Sequence, residues 1–263
     1  MEYGERSVPM FHILAKRHIH RLAEFASSNV LVAFDYDGTL APIVSDPAVA
    51  RMRPGTRRLL TAVARRYPCV VISGRARQDV VRRVGGVPVW HVSGNHGLEP
   101  WSEHEAYASR VRAWIRNLEA SLSGCAGVVI EDKTFSVTVH YRNARQKRQA
   151  ATAIGKAVRR LRDARPLPGK DAISLVPRGS AHKGTALNRT RRLLVCDTAI
   201  YLGDDVTDED AFGAAAPDRL LGIRVSPHAR SRAGYYLRNQ QEVDELLRAL
   251  LALRPRRIAR TGR

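Results

Sequence analysis

An α/β chain, with a doubly wound parallel sheet as its core and a smaller α+β domain inserted into it, is the fold class this sequence predicts. Three observations carry the prediction. Short apolar runs at Val30–Phe34, Cys69–Ile72 and residues 199–202 each end in a polar loop, as buried parallel strands do. Helix-like patterns over 55–66 and 78–84 lie between such runs and give the β-α alternation of a doubly wound sheet. From residue 101 to 176 the pattern changes to hairpin plus helices, which places an inserted domain there and leaves 1–100 and 177–263 as the core.

In chain order, the first twenty residues offer only a very short apolar run before Lys16 and Arg17, with no small-residue cleavage site after it. No later stretch approaches the roughly 20 apolar residues that span a bilayer. The cytoplasm and no membrane partner are therefore the expectation. VLVAF at 30–34 opens into Asp35-Tyr36-Asp37-Gly38-Thr39, the run ending at Ile72 opens into Ser73-Gly74-Arg75, and the run at 199–202 opens into Gly203-Asp204-Asp205. Ligands of open parallel sheets bind at such strand ends. Within the insert, a helix-like segment covers 105–122, strand-like runs lie around 128–130 and 135–141, and a second helix-like segment covers 144–162. Glu131-Asp132-Lys133 marks the turn between the two strands.

With 263 residues and 44% hydrophobic content, the chain can bury a large core. Its 44 Lys and Arg against 25 Asp and Glu give a formal charge of +19, which attracts anions. Nucleic acid as a partner rests on that charge alone, because no zinc finger, aromatic RNA-binding signature or basic region with heptads accompanies it. The arginines of the C-terminal tail, from Arg254 to Arg263, read as a solvated terminus that at most steers anionic substrate. Cys69, Cys125 and Cys196 are far apart and set among apolar residues, so they read as reduced core thiols. Oligomeric state leaves no mark in the sequence.

Chemistry concentrates in a few residues. Asp35 and Asp37, one residue apart beyond a strand, repel each other unless a cation or shared proton offsets the charge. Taken alone, the pair suits a solvated turn as well. Asp204, Asp205, Asp208 and Asp210 wait at the third strand end. If the two ends converge, the cluster offers the hard oxygen ligands that Mg²⁺ takes. Ser73-Gly74 and Lys183-Gly184, each ahead of a helix-like run, are candidate phosphate donors, although a lone Lys at such a junction is usually solvated.

The ordered set is what is specific. Phe34-Asp35-Tyr36-Asp37-Gly38-Thr39-Leu40, Ser73-Gly74-Arg75, Lys183-Gly184 and Gly203-Asp204-Asp205 with Asp208 resemble the motifs of the haloacid dehalogenase superfamily of phosphatases. The resemblance implies a Rossmann-like core with a cap domain. It implies Asp35 as nucleophile, Asp37 as general acid and base, and Ser73, Gly74 and Lys183 as phosphate ligands. Mg²⁺ would be held by Asp35, the Asp37 main-chain carbonyl and Asp204, with Asp205 and Asp208 supporting them.

From about residue 29 to 251 the chain is similar to the trehalose-6-phosphate phosphatase family. Asp46-Pro47, Ser93-Gly94-Asn95-His96-Gly97-Leu98-Glu99, Ser136-Val137-Thr138-Val139-His140-Tyr141-Arg142 and Thr207-Asp208-Glu209-Asp210-Ala211-Phe212 carry that similarity. It implies a phosphorylated disaccharide as substrate, a place in trehalose biosynthesis, and a cap over the site that presents Glu131, Lys133, Arg142 and Lys170, with Asn95 and His96 also facing substrate. One departure stands out. The family's glutamate, and the arginine two residues after it, are Ser174 and Val176 here, before Pro177 and Arg178. Two other readings stay open: a phosphatase for another phosphorylated sugar, and a non-catalytic basic binding protein on the same fold.

Overall fold

The computed structural model describes residues 9–44, 46–101, 104–169 and 171–254. The chain runs through β1 (Phe11–His12), α1 (Ile19–Ser27), β2 (Val30–Phe34), α2 (Pro54–Ala64), β3 (Cys69–Ile72), α3 (Arg77–Val84) and β4 (His91–Ser93). It then builds a second unit from α4 (His104–Leu122), β5 (Val129–Asp132), β6 (Val137–His140), α5 (Lys147–Arg159), β7 (Ala164–Gly169) and β8 (Ala172–Pro177). It returns through α6 (Lys183–Leu193), β9 (Thr198–Gly203), α7 (Glu209–Phe212), β10 (Leu220–Val225), β11 (Tyr235–Leu237) and α8 (Glu242–Leu253).

Seven strands form one sheet in the order β1-β11-β10-β9-β2-β3-β4, parallel at each pairing. Both faces are covered. Val30, Val32 and Phe34 of β2 pack into one apolar cluster with α1, α2 and α8, while Leu31 and Ala33 face a second cluster with α6 and α7. That two-sided burial is why the strands are continuously apolar instead of alternating. Each local choice agrees with it: α2 begins with Pro54, whose ring presets the helical φ. Its partner α8 opens with Glu242, Asp244 and Glu245 at the positive end of the helix dipole.

Strand order decides where chemistry can sit. From β2 the sheet grows to one side through β3 and β4, and from β9 to the other through β10 and β11. The reversal falls between β2 and β9, so the loops after them diverge and leave a crevice. The register pairs Phe34 with Leu202, and Asp35 N donates to Leu202 O at 2.8 Å. Asp35 and Asp204 thus leave the sheet side by side.

The second sheet is antiparallel, in the order β5-β6-β8-β7. The hairpin expected from sequence is its first half. β7 and β8 complete it and went unread, because Ala164–Gly169 holds two prolines and looks like a loop. Its edge position explains the tolerance, since an edge strand has one side with no ladder bond to make. Val137, Val139, Leu175 and Ala164 pack onto α4 and α5. The opposite face carries the cross-strand row Glu131, Thr138, Ser174 and Leu167.

Two further expectations need adjustment. Arg254 is no solvated residue: its guanidinium donates to Ser28 O at 2.7 Å and Arg66 O at 3.2 Å, and lies 4.3 Å from the Tyr67 ring centroid. The rest of the basic tail lies outside the described residues. Cys69 and Cys196 are buried and free, and Cys125 is half-buried. Among the described residues, no helix is long and apolar enough to cross a membrane.

Candidate active site

At the crevice, three carboxyl groups meet one ammonium. Lys183, at the start of α6, donates from Nζ to Asp35 Oδ1 and to Asp208 Oδ1, both at 2.8 Å, and all three side chains are almost wholly buried. Tyr201, on β9, donates its hydroxyl to the same Asp208 oxygen at 2.6 Å. The other Asp208 oxygen accepts the backbone N–H groups of Asp204 and Asp205 at 3.0 and 2.9 Å. Asp208 is therefore fully occupied, and it shapes the loop that presents Asp204.

Asp35 and Asp204 are left with open oxygens. Asp35 Oδ2 has no hydrogen-bond partner among the described residues, and Asp204 meets only Thr39 Oγ1 at a long 3.4 Å. One carboxylate oxygen each of Asp35, Asp204 and Asp208 lies within 4.8 Å of the others. Burial pushes the Asp35 carboxyl up to about 8 against the pull of Lys183, with Asp208 adding to the rise. Burial, then Asp35 and Asp208, push Asp204 up to about 9. Such groups stay ionised near neutral pH only beside an added cation. Hard oxygen donors, an excess of buried negative charge and unfilled lone pairs together fit a divalent metal. Gly38 makes the approach possible: at φ +78°, a Cβ there would stand 2.0 Å from Asp204 Oδ2.

Asp37 is held differently. Arg75 Nε and Nη2 donate to its two oxygens at 2.6 and 2.7 Å, a two-pronged fork. The third guanidinium nitrogen reaches Asp79 at 3.0 Å. Asp79 also accepts Arg83 Nε at 2.8 Å, and Arg83 ties to the carbonyls of Ala48 and Ala50. Arg75 belongs to the Ser73-Gly74-Arg75 motif but carries no role legible there; the only signal is its spacing of four residues from Asp79, itself four from Arg83 on α3, with Arg75 in the loop just before that helix.

Ser73 is buried at the end of β3, with Oγ accepting Arg75 N at 3.2 Å. The His96 ring lies flush on Gly74, where a Cβ would come 2.5 Å from Cε1. Neither ring nitrogen of His96 finds a partner among the described residues. Burial, with Lys183, Lys133 and Arg165 nearby, holds His96 well below its ordinary range and therefore neutral.

The second sheet closes over this end. Lys133 Nζ donates to Gly74 O at 3.3 Å, and Arg142 Nη1 to Val44 O at 3.0 Å. Asn95 is wholly buried: its amide donates to Glu99 at 2.7 Å and Lys133 O at 3.1 Å, and accepts from Ser136 at 2.6 Å. Asn95 and Arg142, expected to face substrate, each also reach a partner across the seam between the two sheets. A fourth seam contact, Arg165 to Asp210 at 3.1 Å, gave no signal in sequence. Glu131 keeps a half-exposed carboxylate beside His140 at 2.8 Å and Lys133 at 3.6 Å. Burial raises its pKa, but His140 and Lys133 outweigh that and hold it below its ordinary value. Lys170 lies outside the described residues. Clefts of about 690 and 310 Å³ open along α6 and beneath β7, sharing Asp210 and Arg232, and Asp35 lines neither.

Comparison with known proteins bears on this arrangement directly. Residues 33–241 match the trehalose-phosphatase family model. A trehalose-phosphate phosphatase of Mycolicibacterium paratuberculosis is 36% identical over 243 residues, covering 87% of this chain and 59% of the relative. That of Mycobacterium tuberculosis is 38% identical over 206 residues, covering 71% of this chain and 51% of the relative. The chain thus spans little more than half the length of these relatives. Its fold matches the C-terminal domain of the C. albicans trehalose-6-phosphate phosphatase at a TM-score of 0.76 and 24% identity, covering 93% of this chain and 99% of that one. A trehalose-6-phosphate phosphatase related protein matches at 0.67 and 25% identity, covering 86% and 100%. The matched span begins in β2 and ends just before α8, so it holds both strand ends of the crevice and the whole second sheet: this chain belongs to the trehalose-phosphatase family.

Proposed function

We propose that this chain is a Mg²⁺-dependent phosphatase that hydrolyses trehalose 6-phosphate through an aspartyl-phosphate on Asp35. The carrying observation is the buried Asp35 carboxylate, with one oxygen fixed by Lys183 and the other open to the crevice. That open oxygen attacks phosphorus, forming the acyl phosphate and breaking the bond to the sugar oxygen. Asp37 supplies a proton to the departing oxygen. It then takes one from water, whose oxygen attacks phosphorus and frees Asp35. Ser73 and Lys183 hold the non-bridging phosphate oxygens. Asp35, Asp204 and the Asp37 main-chain carbonyl would hold Mg²⁺, with Asp205 and Asp208 behind them. When bound, the ion neutralises phosphate charge and lowers the cost of ionised Asp35.

On this reading, residues 101–176 act as a cap that selects substrate, and Glu131, Lys133 and His96 face the sugar. The relatives named above support the disaccharide. A second reading, another phosphorylated sugar, is favoured by one local fact: Ser174 spends its hydroxyl on Thr138 at 2.8 Å, so that point of the cap face carries no carboxylate. Phosphate release from trehalose 6-phosphate and glucose 6-phosphate, with and without chelator, tests both. We expect preference for the disaccharide, loss in chelator, recovery with Mg²⁺, and background turnover in a folded Asp35→Asn variant. Wild-type turnover by that variant would sink the covalent mechanism. Equal rates on both sugars would favour the second reading.

A further inference from the structure

An acid that protonates a leaving oxygen must carry the proton on one of its own carboxyl oxygens. Both oxygens of Asp37 accept from Arg75, at 2.6 and 2.7 Å, and a guanidinium N–H cannot face a carboxyl O–H on the same line. The arrangement seen is therefore a resting one. Its rigid partner is the arginine. The Arg75 side chain is 12% exposed against 40% for Asp37, and Asp79 braces it from the far side, itself anchored by Arg83. The fork also lies at the seam, since Lys133 from the second sheet reaches the carbonyl of Gly74, the residue before Arg75.

We propose that Arg75 is the positioning residue for Asp37: it holds the carboxylate in one orientation at the crevice between turnovers and releases one oxygen when the leaving group arrives. This rests on Asp37 being the acid and base. Arg75 is suited to the exchange because Asp79 keeps the guanidinium in place when one Asp37 oxygen leaves it. Without the fork, Asp37 keeps its chemistry but loses its alignment, and the loss falls on substrates that need a proton delivered.

Arg75→Lys keeps the charge and removes the fork. The rate on trehalose 6-phosphate, whose alkoxide must be protonated, should fall at least tenfold in kcat with KM little changed. The rate on p-nitrophenyl phosphate, whose phenolate departs unaided, should fall less than threefold. In an Asp37→Asn background, Arg75→Lys should add no further loss on the sugar ester, because the residue acts only through Asp37. Equal losses on both esters, or additive losses in the double variant, would overturn the proposal. If Asp37→Asn alone fails to distinguish the two esters, the acid-base reading of Asp37 falls and takes this one with it. Should Arg75→Lys not fold, a crystal structure of the wild-type protein with Mg²⁺ and the sulfate ester of the same sugar decides. One Asp37 oxygen free of Arg75 supports release, and an unchanged fork refutes it.

Discussion

The carboxyl end of the parallel sheet and the facing surface of the antiparallel one solve opposite problems. On the parallel sheet, charges are buried and each is constrained by another: Lys183 between Asp35 and Asp208, and Asp208 filled by Tyr201 and two backbone amides. On the antiparallel sheet, polar groups are looser. Glu131 is 47% exposed at its side chain, and among the described residues the Ser174 hydroxyl meets only that of Thr138. Burial makes each core charge costly to alter, which ties that site to the single chemistry proposed for it. Exposure leaves the residues of the facing surface cheaper to replace.

Breaking the core should therefore have the largest effect. Lys183→Met leaves the Asp35 and Asp208 carboxylates buried without their counter-charge, which costs about 3–5 kcal/mol. Denaturant titration should show that loss together with loss of phosphate release. Near-wild-type stability would mean that the cluster is wetter than its burial implies.

A cation should act in the reverse sense. Folded Asp35 and Asp204 hold their protons up to about 8 and about 9, whereas an unfolded Asp releases its proton near 3.8. Between those values the folded state binds more protons, so these two groups make stability fall as pH rises through the window. Metal binding displaces those protons. Saturating Mg²⁺ should accordingly raise Tm more at pH 8 than at pH 6, and Asp204→Asn should abolish the rise. An equal shift at both pH values would place the ion elsewhere.

The facing surface should show a smaller and more selective response. Glu131→Ala is expected to lower kcat/KM for trehalose 6-phosphate by about tenfold, with p-nitrophenyl phosphate nearly unaffected, because only the sugar has hydroxyls to lose. Equal losses would assign Glu131 to holding His140 and Lys133 in place. Smallest is the seam. Ser136→Ala strands the buried Asn95 carbonyl, costing about 1–3 kcal/mol, with kcat retained well below the new melting point. A loss of kcat without loss of stability would instead make Asn95 part of the chemistry.

Legibility followed the same division. The β2 and β3 strands were readable to the residue, because burial on both faces demands unbroken β-branched and apolar runs. The positions of Asp35, Ser73 and Asp204 were readable because these residues follow such runs directly, and that of Lys183 because it opens a helix-like run. β7 was not, because Pro166 and Pro168 look like loop until an edge position permits them. The seam partners of Asn95 and Arg142 were not readable, since in sequence a polar residue near a motif looks the same whether it meets a ligand or another segment.

By itself the sequence determined the doubly wound core and placed Asp35, Ser73 and Asp204 at the ends of its strands, since those follow from local pattern and from residues adjacent in the chain. Only the tertiary structure decided the partners. That Asp208 is filled while Asp204 is open, that Arg75 forks Asp37 across 38 positions, and that Arg165 and Asn95 fasten the two sheets together, are matters of distance between remote segments. The physical reason is that hydrogen bonds and ion pairs act over a few ångströms of space, and a linear pattern records which groups are available but not which of them meet.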